Sequence, residues 1–276
     1  MAGRALIDLV HAGGPSEADL RRFTRVALEI AAETRRIVID AVRDGFSHQR
    51  KADQTFVTDV DFAVEDRIRE RLAAEFPTHA VRGEERADRP GASEYEWVVD
   101  PIDGTLSLRH GVPLFGTILA LRCRGRPLVG VIDLPMLDRR YHATRGLGAF
   151  RDGRRLRIEP PESVDDEIVA VGDRRQFVGV GRSELFDRLL VAHPVVRTYA
   201  DCFGHALAIE GSVGAMVDFG LRAWDVAATE VLVTEAGGEY VEVGRRPLAC
   251  GDDVHDVVFG KAAVVQRVLG VLGTLT

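Results

Sequence analysis

Up to Phe76 the apolar residues of this chain recur with a helical period, and beyond it they gather into strand-like runs. Val60, Val64, Ile68, Leu72 and Phe76 lie four apart and form one stripe, which Pro77 ends. Earlier, Phe23, Val26, Ile30, Ile37, Val38 and Ala41 keep a helical spacing until Gly45. Ser16 and Asp19 precede them with the spacing of a capping box, Asp standing where Glu is usual. Two helices are therefore predicted first, from about Ser16 to Gly45 and from about Asp59 to Phe76. A meander of strands follows at 97–99, 115–121, 128–132 and 140–144, with turns at Arg124-Gly125-Arg126 and Asp152-Gly153.

From about Glu159 the pattern alternates. Strand-like runs at 168–171, 195–199, 215–218, 239–243 and 257–259 are interleaved with helical runs at 183–192, 203–210, 225–236 and 262–272. Alternation of this kind predicts a second α/β layer. The chain thus divides into an N-terminal extension (1–15), a first α+β half (16–158) and a second α/β half (159–276), with the boundary at P-P-E-S, 160–163. Its 276 residues suffice for two lobes sharing a core.

A net charge of −7 argues against a general nucleic-acid or anionic-membrane surface, and the scattered arginine pairs read as solvated. The three cysteines (Cys123, Cys202, Cys250) are widely spaced and form no C-x-x-C, so neither a disulfide framework nor a zinc knuckle is expected. No apolar stretch is long enough to span a bilayer, and the first residues lack the charge and length pattern of a secretory signal. The expectation is a cytoplasmic protein.

The chemistry concentrates in W-V-V-D-P-I-D-G-T, Trp97 to Thr105. Pro101 fixes φ and lacks an N–H, so the chain is expected to leave the strand sharply there. Such a turn can aim Asp100 and Asp103 to one side with the Ile102 carbonyl between them, an oxygen set that suits Mg²⁺. Gly104-Thr105 lets backbone N–H groups approach an anion closely. An acidic surface turn is the milder reading. Three further acids have mild readings when taken singly. The G-E-E at 83–85 can be a solvated bend, Asp225 in W-D a helix cap, and Asp61 in F-V-T-D-V-D a first-turn acid.

Together, G-E-E, W-V-V-D-P-I-D-G-T and W-D-V-A-A-T-E-V-L-V-T-E-A-G-G resemble the inositol monophosphatase family of Mg²⁺-dependent phosphomonoesterases, from about Leu20 to Leu272. The resemblance implies an αβαβα sandwich, of the inositol monophosphatase and fructose-1,6-bisphosphatase type, and a homodimer. It implies two or three Mg²⁺ ions per site. Glu84, Asp100, Asp103, Asp225 and the Ile102 carbonyl would be the ligands. Gly104 and Thr105 would bind phosphate, and Asp61 and Thr105 would position the attacking water, with Glu84 orienting it or taking its proton. Lys51 matches a basic residue that the family keeps near the site, and can equally be a solvated loop lysine.

The segment Y-A-D-C-F-G-H-A-L, 199–207, resembles the histidinol-phosphate phosphatase branch, as does the run from Phe115 to Tyr141. It implies a substrate pocket lined by Asp201 and Asp218, acids that would suit the ammonium and imidazole of L-histidinol phosphate. The same acids can bind the hydroxyls of inositol or another cyclitol or sugar phosphate. Leu106 departs from the branch, which carries a basic residue after D-G-T, and Arg109 is the candidate to replace it. A catalytically inactive binding protein of the family is the remaining reading. It would be expected to lack a metal carboxylate, and Glu84, Asp100, Asp103 and Asp225 are all present.

Overall fold

The computed structural model describes residues 14–52, 54–247 and 253–273. Most of the predicted N-terminal extension, 1–13, and Cys250 lie outside them.

The chain opens with α1 (Glu17–Asp44), capped as predicted: Asp19 N–H donates to Ser16 Oγ at 3.2 Å and Ser16 N–H to Asp19 Oδ2 at 3.0 Å. Gly45, at φ +96°, ends it. A short hairpin, β1 (His48–Arg50) and β2 (Phe56–Thr58), leads into α2 (Asp59–Glu75). Then come β3 (Ala80–Gly83), β4 (Tyr95–Asp103), a one-turn α3 (Thr105–Arg109), β5 (Gly116–Cys123), β6 (Arg126–Leu134), β7 (Arg139–Thr144), β8 (Gly148–Arg151) and β9 (Arg154–Arg155). These seven strands form one sheet in chain order, antiparallel except for the β3–β4 pair. The two predicted turns are two-residue hairpin loops with both residues at positive φ: Arg124 (+50°) and Gly125 (+75°), Asp152 (+49°) and Gly153 (+77°). Their twist matches that of the strands they join.

The second set is β10 (Val169–Val171), α4 (Arg174–Gly179), α5 (Ser183–Ala192), β11 (Val196–Thr198), α6 (Asp201–Ile209), β12 (Ala215–Leu221), α7 (Ala223–Val226), α8 (Thr229–Glu235), β13 (Glu239–Pro247), β14 (Asp253–Gly260) and α9 (Ala262–Leu272). Its five strands order as β11-β10-β12-β14-β13, with β10 parallel to both neighbours and the rest antiparallel. The helix expected at 225–236 is two short helices, α7 and α8. α4 falls where no helix was predicted.

Alternation along the strands sorts the core into layers. Trp97 and Val99 face α1 and α2, joining Val26, Ile30, Val64 and Ile68, whereas Val98 between them faces the other way. That other face, with Ile118, Ile132 and Tyr141, packs on α6 and α8 through Ala206, Ile209, Val231 and Leu232. Met216 and Phe259 of the second sheet close the same layer from the far side. Val171, Val217 and Phe219 point away from it, to Phe177, Leu189 and Val268 of α4, α5 and α9. The order of layers is helices, sheet, helices, sheet, helices: an αβαβα sandwich. No helix among the described residues is long and apolar enough to cross a membrane.

One expectation is corrected. The chain does not leave the strand at Pro101. Asp100 pairs with Ile118 and Asp103 with Gly116, so Pro101-Ile102 forms an irregularity within β4. The ladder tolerates proline at such a place because the bulged N–H is not required. Thr117 Oγ1 donates to the Pro101 carbonyl at 2.8 Å and holds it.

Candidate active site

The end of β4 and the start of α3 carry the centre of the site. Gly104 adopts φ +90°, and a Cβ there would lie 3.0 Å from Asp201 Oδ2 and 3.1 Å from Phe115 Cβ. The backbone conformation favours glycine, and a Cβ would also press on both neighbours. Thr105 Oγ1 donates toward the Ile102 carbonyl at 3.0 Å and toward Asp61 Oδ1 at 3.1 Å. Asp61 is fully buried and completes a capping box with Thr58, whose N–H donates to Asp61 Oδ2 at 2.9 Å. The capping role and the contact with Thr105 thus use the two oxygens of one carboxylate. Burial raises the Asp61 pKa against the hydrogen bonds from Thr58.

Asp100, Asp103 and Asp225 converge. One carboxylate oxygen from each lies within 4.8 Å of the others. Asp225 arrives from the other half of the molecule on α7, where Arg222 N–H donates to its Oδ2 at 2.7 Å. Arg122 of β5 reaches across and donates to the Ala223 carbonyl at 3.3 Å. Asp103 accepts from the Cys202 N–H at the start of α6, a contact that ties the two halves at the site. Asp100 is 1% exposed, and its Oδ1 has no hydrogen-bond partner among the described residues.

The electrostatics follow. Burial first, and the Glu84 charge second, hold Asp100 well above the ordinary carboxylate range. Burial and then Asp201 do the same to Asp103, and burial and then Glu84 push Asp225 up to about 7. Buried carboxylates this close cannot all stay ionised without a cation. An all-oxygen set with an orphaned carboxylate oxygen fits a hard divalent ion.

Glu84 follows β3, where its N–H donates to the Val99 carbonyl at 3.2 Å. It is outside the tight three-acid group, and its Oε1 accepts from Lys51 Nζ at 2.9 Å. Lys51 also meets Glu85 Oε1 at 2.5 Å, so the lysine reaches the site region and is paired there. Burial opposes its charge, but the two glutamates raise its pKa above the usual lysine value. Arg109 does not point to the acids: its guanidinium stacks 4.1 Å above the Phe56 ring, while Leu106 is exposed.

Asp201 stands beside Gly104 in the left-handed region, at φ +57°, and burial followed by the Asp218 charge pushes its pKa up to about 6. Asp218 is 1% exposed. Its Oδ2 meets His205 Nε2 at 3.3 Å and its Oδ1 accepts its neighbour's Phe219 N–H at 3.0 Å. His205 Nδ1 in turn meets Thr229 Oγ1 at 2.9 Å. Sequence reasoning missed this buried His205 and also Glu65, which is fully buried under Gly83 and accepts the Glu85 N–H at 2.8 Å. Glu65 sits mid-helix, where a glutamate ordinarily reads as solvated. Gly83, the glycine of the G-E-E, was the signal, since a Cβ there would lie 2.2 Å from Glu65 Oε1.

A groove of about 710 Å³ between α1 and the β7–β8 hairpin, lined in part by Leu28, Ala32, Leu147 and Phe150, contains none of these acids.

The inositol monophosphatase family matches residues 19–266. The chain is 34% identical to a histidinol-phosphatase of Chlorobaculum parvum over 78% of its length and 83% of the relative's. It is 32% identical to a fructose-1,6-bisphosphatase/inositol-1-monophosphatase of Aquifex aeolicus, over 81% and 84%. An inositol monophosphatase structure from Anabaena superposes with a TM-score of 0.77 at 26% identity, covering 93% of this chain and 98% of that one.

Proposed function

The chain belongs to the inositol monophosphatase family, and from that premise we propose that it is a Mg²⁺-dependent phosphomonoesterase acting on L-histidinol phosphate. That it is a phosphatase of this family rests on the family match and its relatives. The metal, the residue roles and the substrate are the proposal. The observation that carries it is the convergence of Asp100, Asp103 and Asp225 beside the Asp61–Thr105 pair.

In this reading Glu84, Asp100, Asp103, Asp225 and the Ile102 carbonyl hold two or three Mg²⁺ ions. Bound there, Mg²⁺ lowers the pKa of water and offsets charge on the phosphoryl oxygens. Thr105 Oγ1, anchored by Asp61 Oδ1, orients the attacking water, and Glu84 accepts its proton. Backbone N–H groups of Gly104 and Thr105 hold the phosphate, which the open conformation at Gly104 allows. No side chain needs to form a covalent intermediate. Lys51, paired with Glu84, holds that carboxylate in place.

Asp201 and Asp218 make the leaving-group side acidic. Asp201 is placed for contact, while Asp218, engaged by His205, contributes field. A leaving alcohol that carries an ammonium gains from both. The histidinol-phosphatase relative supports this choice. A second reading, an inositol or sugar monophosphate, draws on exposed Leu106, on the stacking of Arg109 against Phe56, and on the Aquifex relative. A homodimer belongs to the same proposal, and sedimentation velocity checks it.

The test is phosphate release from L-histidinol phosphate and inositol 1-phosphate side by side, with Mg²⁺ and with EDTA. A Mg²⁺-dependent preference for the first ester is expected. Preference for the second discards the substrate assignment and keeps the metal site. Release that survives EDTA overturns the metal reading.

A further inference from the structure

Asp256 lies on β14, one strand away from any residue discussed so far as reactive, and it is wholly buried. Its Oδ1 accepts from Gly220 N–H and from Arg246 Nη2, both at 2.9 Å. Its Oδ2 faces Arg182 Nε at 4.0 Å. Neither of those two atoms has a hydrogen-bond partner among the described residues.

Both strands beside β14 lose register at this residue. From the Asp218–Val257 pair to the Leu221–His255 pair, β12 has one residue more than β14. From Glu242–Val257 to Gly244–Asp256, β13 also has one residue more. Gly220 takes φ +78° in the first bulge. In the second, a Cβ on Gly244 would lie 2.9 Å from Asp256 Oδ2. The acid sits at both bulges. The first takes the Gly220 N–H out of the ladder, the buried carboxylate receives it, and two arginines supply opposite charge.

The consequence reaches the site because strand side chains change face with every residue. One residue more or less reverses the aim of everything downstream. The β12 bulge separates Asp218, which faces His205, from the turn at Arg222 that brings Asp225 to Asp100 and Asp103.

We infer that Asp256, clamped by Arg182 and Arg246, is a positioning residue: it holds the β12 bulge and thereby aims the 218–225 segment that delivers Asp225 to the metal-binding acids. The inference rests on reading those acids as a metal site. Asp256 touches neither metal nor substrate, so its effect appears in metal affinity before it appears in turnover.

Calorimetric titration of Mg²⁺ alone into the full chain, thermal unfolding, and phosphate release against Mg²⁺ concentration test it. Asp256→Asn keeps an acceptor for Gly220 and removes the charge. Arg246→Met removes one clamp from a partly exposed position, and thermal unfolding reads its cost to the fold. Asp256→Asn is expected to weaken Mg²⁺ binding about tenfold and Arg246→Met about threefold, as for residues that orient ligands from behind. At saturating Mg²⁺ both should turn over within about threefold of wild type. Melting temperatures that fall with unchanged Mg²⁺ affinity overturn the inference, as do unchanged affinities in two folded variants. A wild-type chain that binds no Mg²⁺ overturns the metal reading, and this inference with it.

Discussion

Two regions of the molecule supply the site in different ways. The first provides Asp100, the Ile102 carbonyl, Asp103, Gly104 and Thr105 from one uninterrupted run, where β4 passes through its irregularity into α3. The second provides Asp201, Asp218 and Asp225 from α6, β12 and α7, separate elements brought together by packing. The first region is held by local geometry: a fixed proline φ, a glycine at +90°, and a threonine bonded three residues back. The second is held by register and by contacts across the molecule, such as Cys202 N–H to Asp103 and Arg122 to the Ala223 carbonyl. Reactive groups set locally tolerate change elsewhere. Groups set by tertiary register can be retuned by distant substitutions.

The largest expected effect sharpens this contrast. Asp100→Asn should reduce phosphate release at least about 1,000-fold at any Mg²⁺ concentration, because it removes charge from the centre of the acid set. Without Mg²⁺ the variant should melt no lower than wild type, since a buried, uncompensated acid is neutralised. A markedly lower melting temperature would mean that the ionised cluster stabilises the fold. Asp225→Asn should cost about 100-fold, much of it recovered by raising Mg²⁺. If it proves as severe and as unrecoverable as Asp100→Asn, the two regions are equally fixed and the comparison breaks.

Asp201→Asn is a smaller perturbation. The KM for L-histidinol phosphate should rise about tenfold, about 1.4 kcal/mol, with kcat within about threefold and phosphate esters of uncharged alcohols unaffected. Equal losses on esters of cationic and of uncharged alcohols would show that Asp201 serves the backbone at Gly104 instead of the leaving group.

The smallest effect concerns the first half alone. His79 is buried between Phe76 and Tyr95, and its Nδ1 accepts the Trp97 indole N–H at 3.1 Å, a bond that only the neutral ring can make. Burial lowers its pKa from 6.5 to about 4. Between those values the unfolded chain binds the extra proton. Stability from this group is therefore complete above about pH 6.5 and falls as pH drops toward about 4, with a slope of at most ~1.4 kcal/mol per unit. Denaturant titrations of His79→Phe across that range should show a flatter profile than wild type. An unchanged slope would assign the acid sensitivity elsewhere.

The strand at Trp97-Val98-Val99, the stripe from Val60 to Phe76 and the two turns between strands were legible in sequence because each depends on neighbours a few residues away. The acids of the run from Asp100 to Thr105 were legible for the same reason, and the family resemblance added Glu84 and Asp225. The exit of the chain at Pro101 was misjudged, since proline's local effect is absorbed by an irregularity that only the neighbouring strand reveals. The partners of Arg109 and Lys51 could not be read, because Phe56, Glu84 and Glu85 reach them only through folding. Buried Glu65 and Asp256 carried no motif, and His205 stood in the 199–207 segment without a role of its own; the partners of all three come from residues brought beside them by packing.

What the sequence alone determined is periodicity, turn chemistry and the donor atoms of one compact motif, all properties of covalently adjacent residues. What the tertiary structure decided is which acids meet, which cations stay paired away from them, and where a strand gains a residue. Those depend on distances between elements far apart in the chain, and hydrophobic packing and sheet register set such distances.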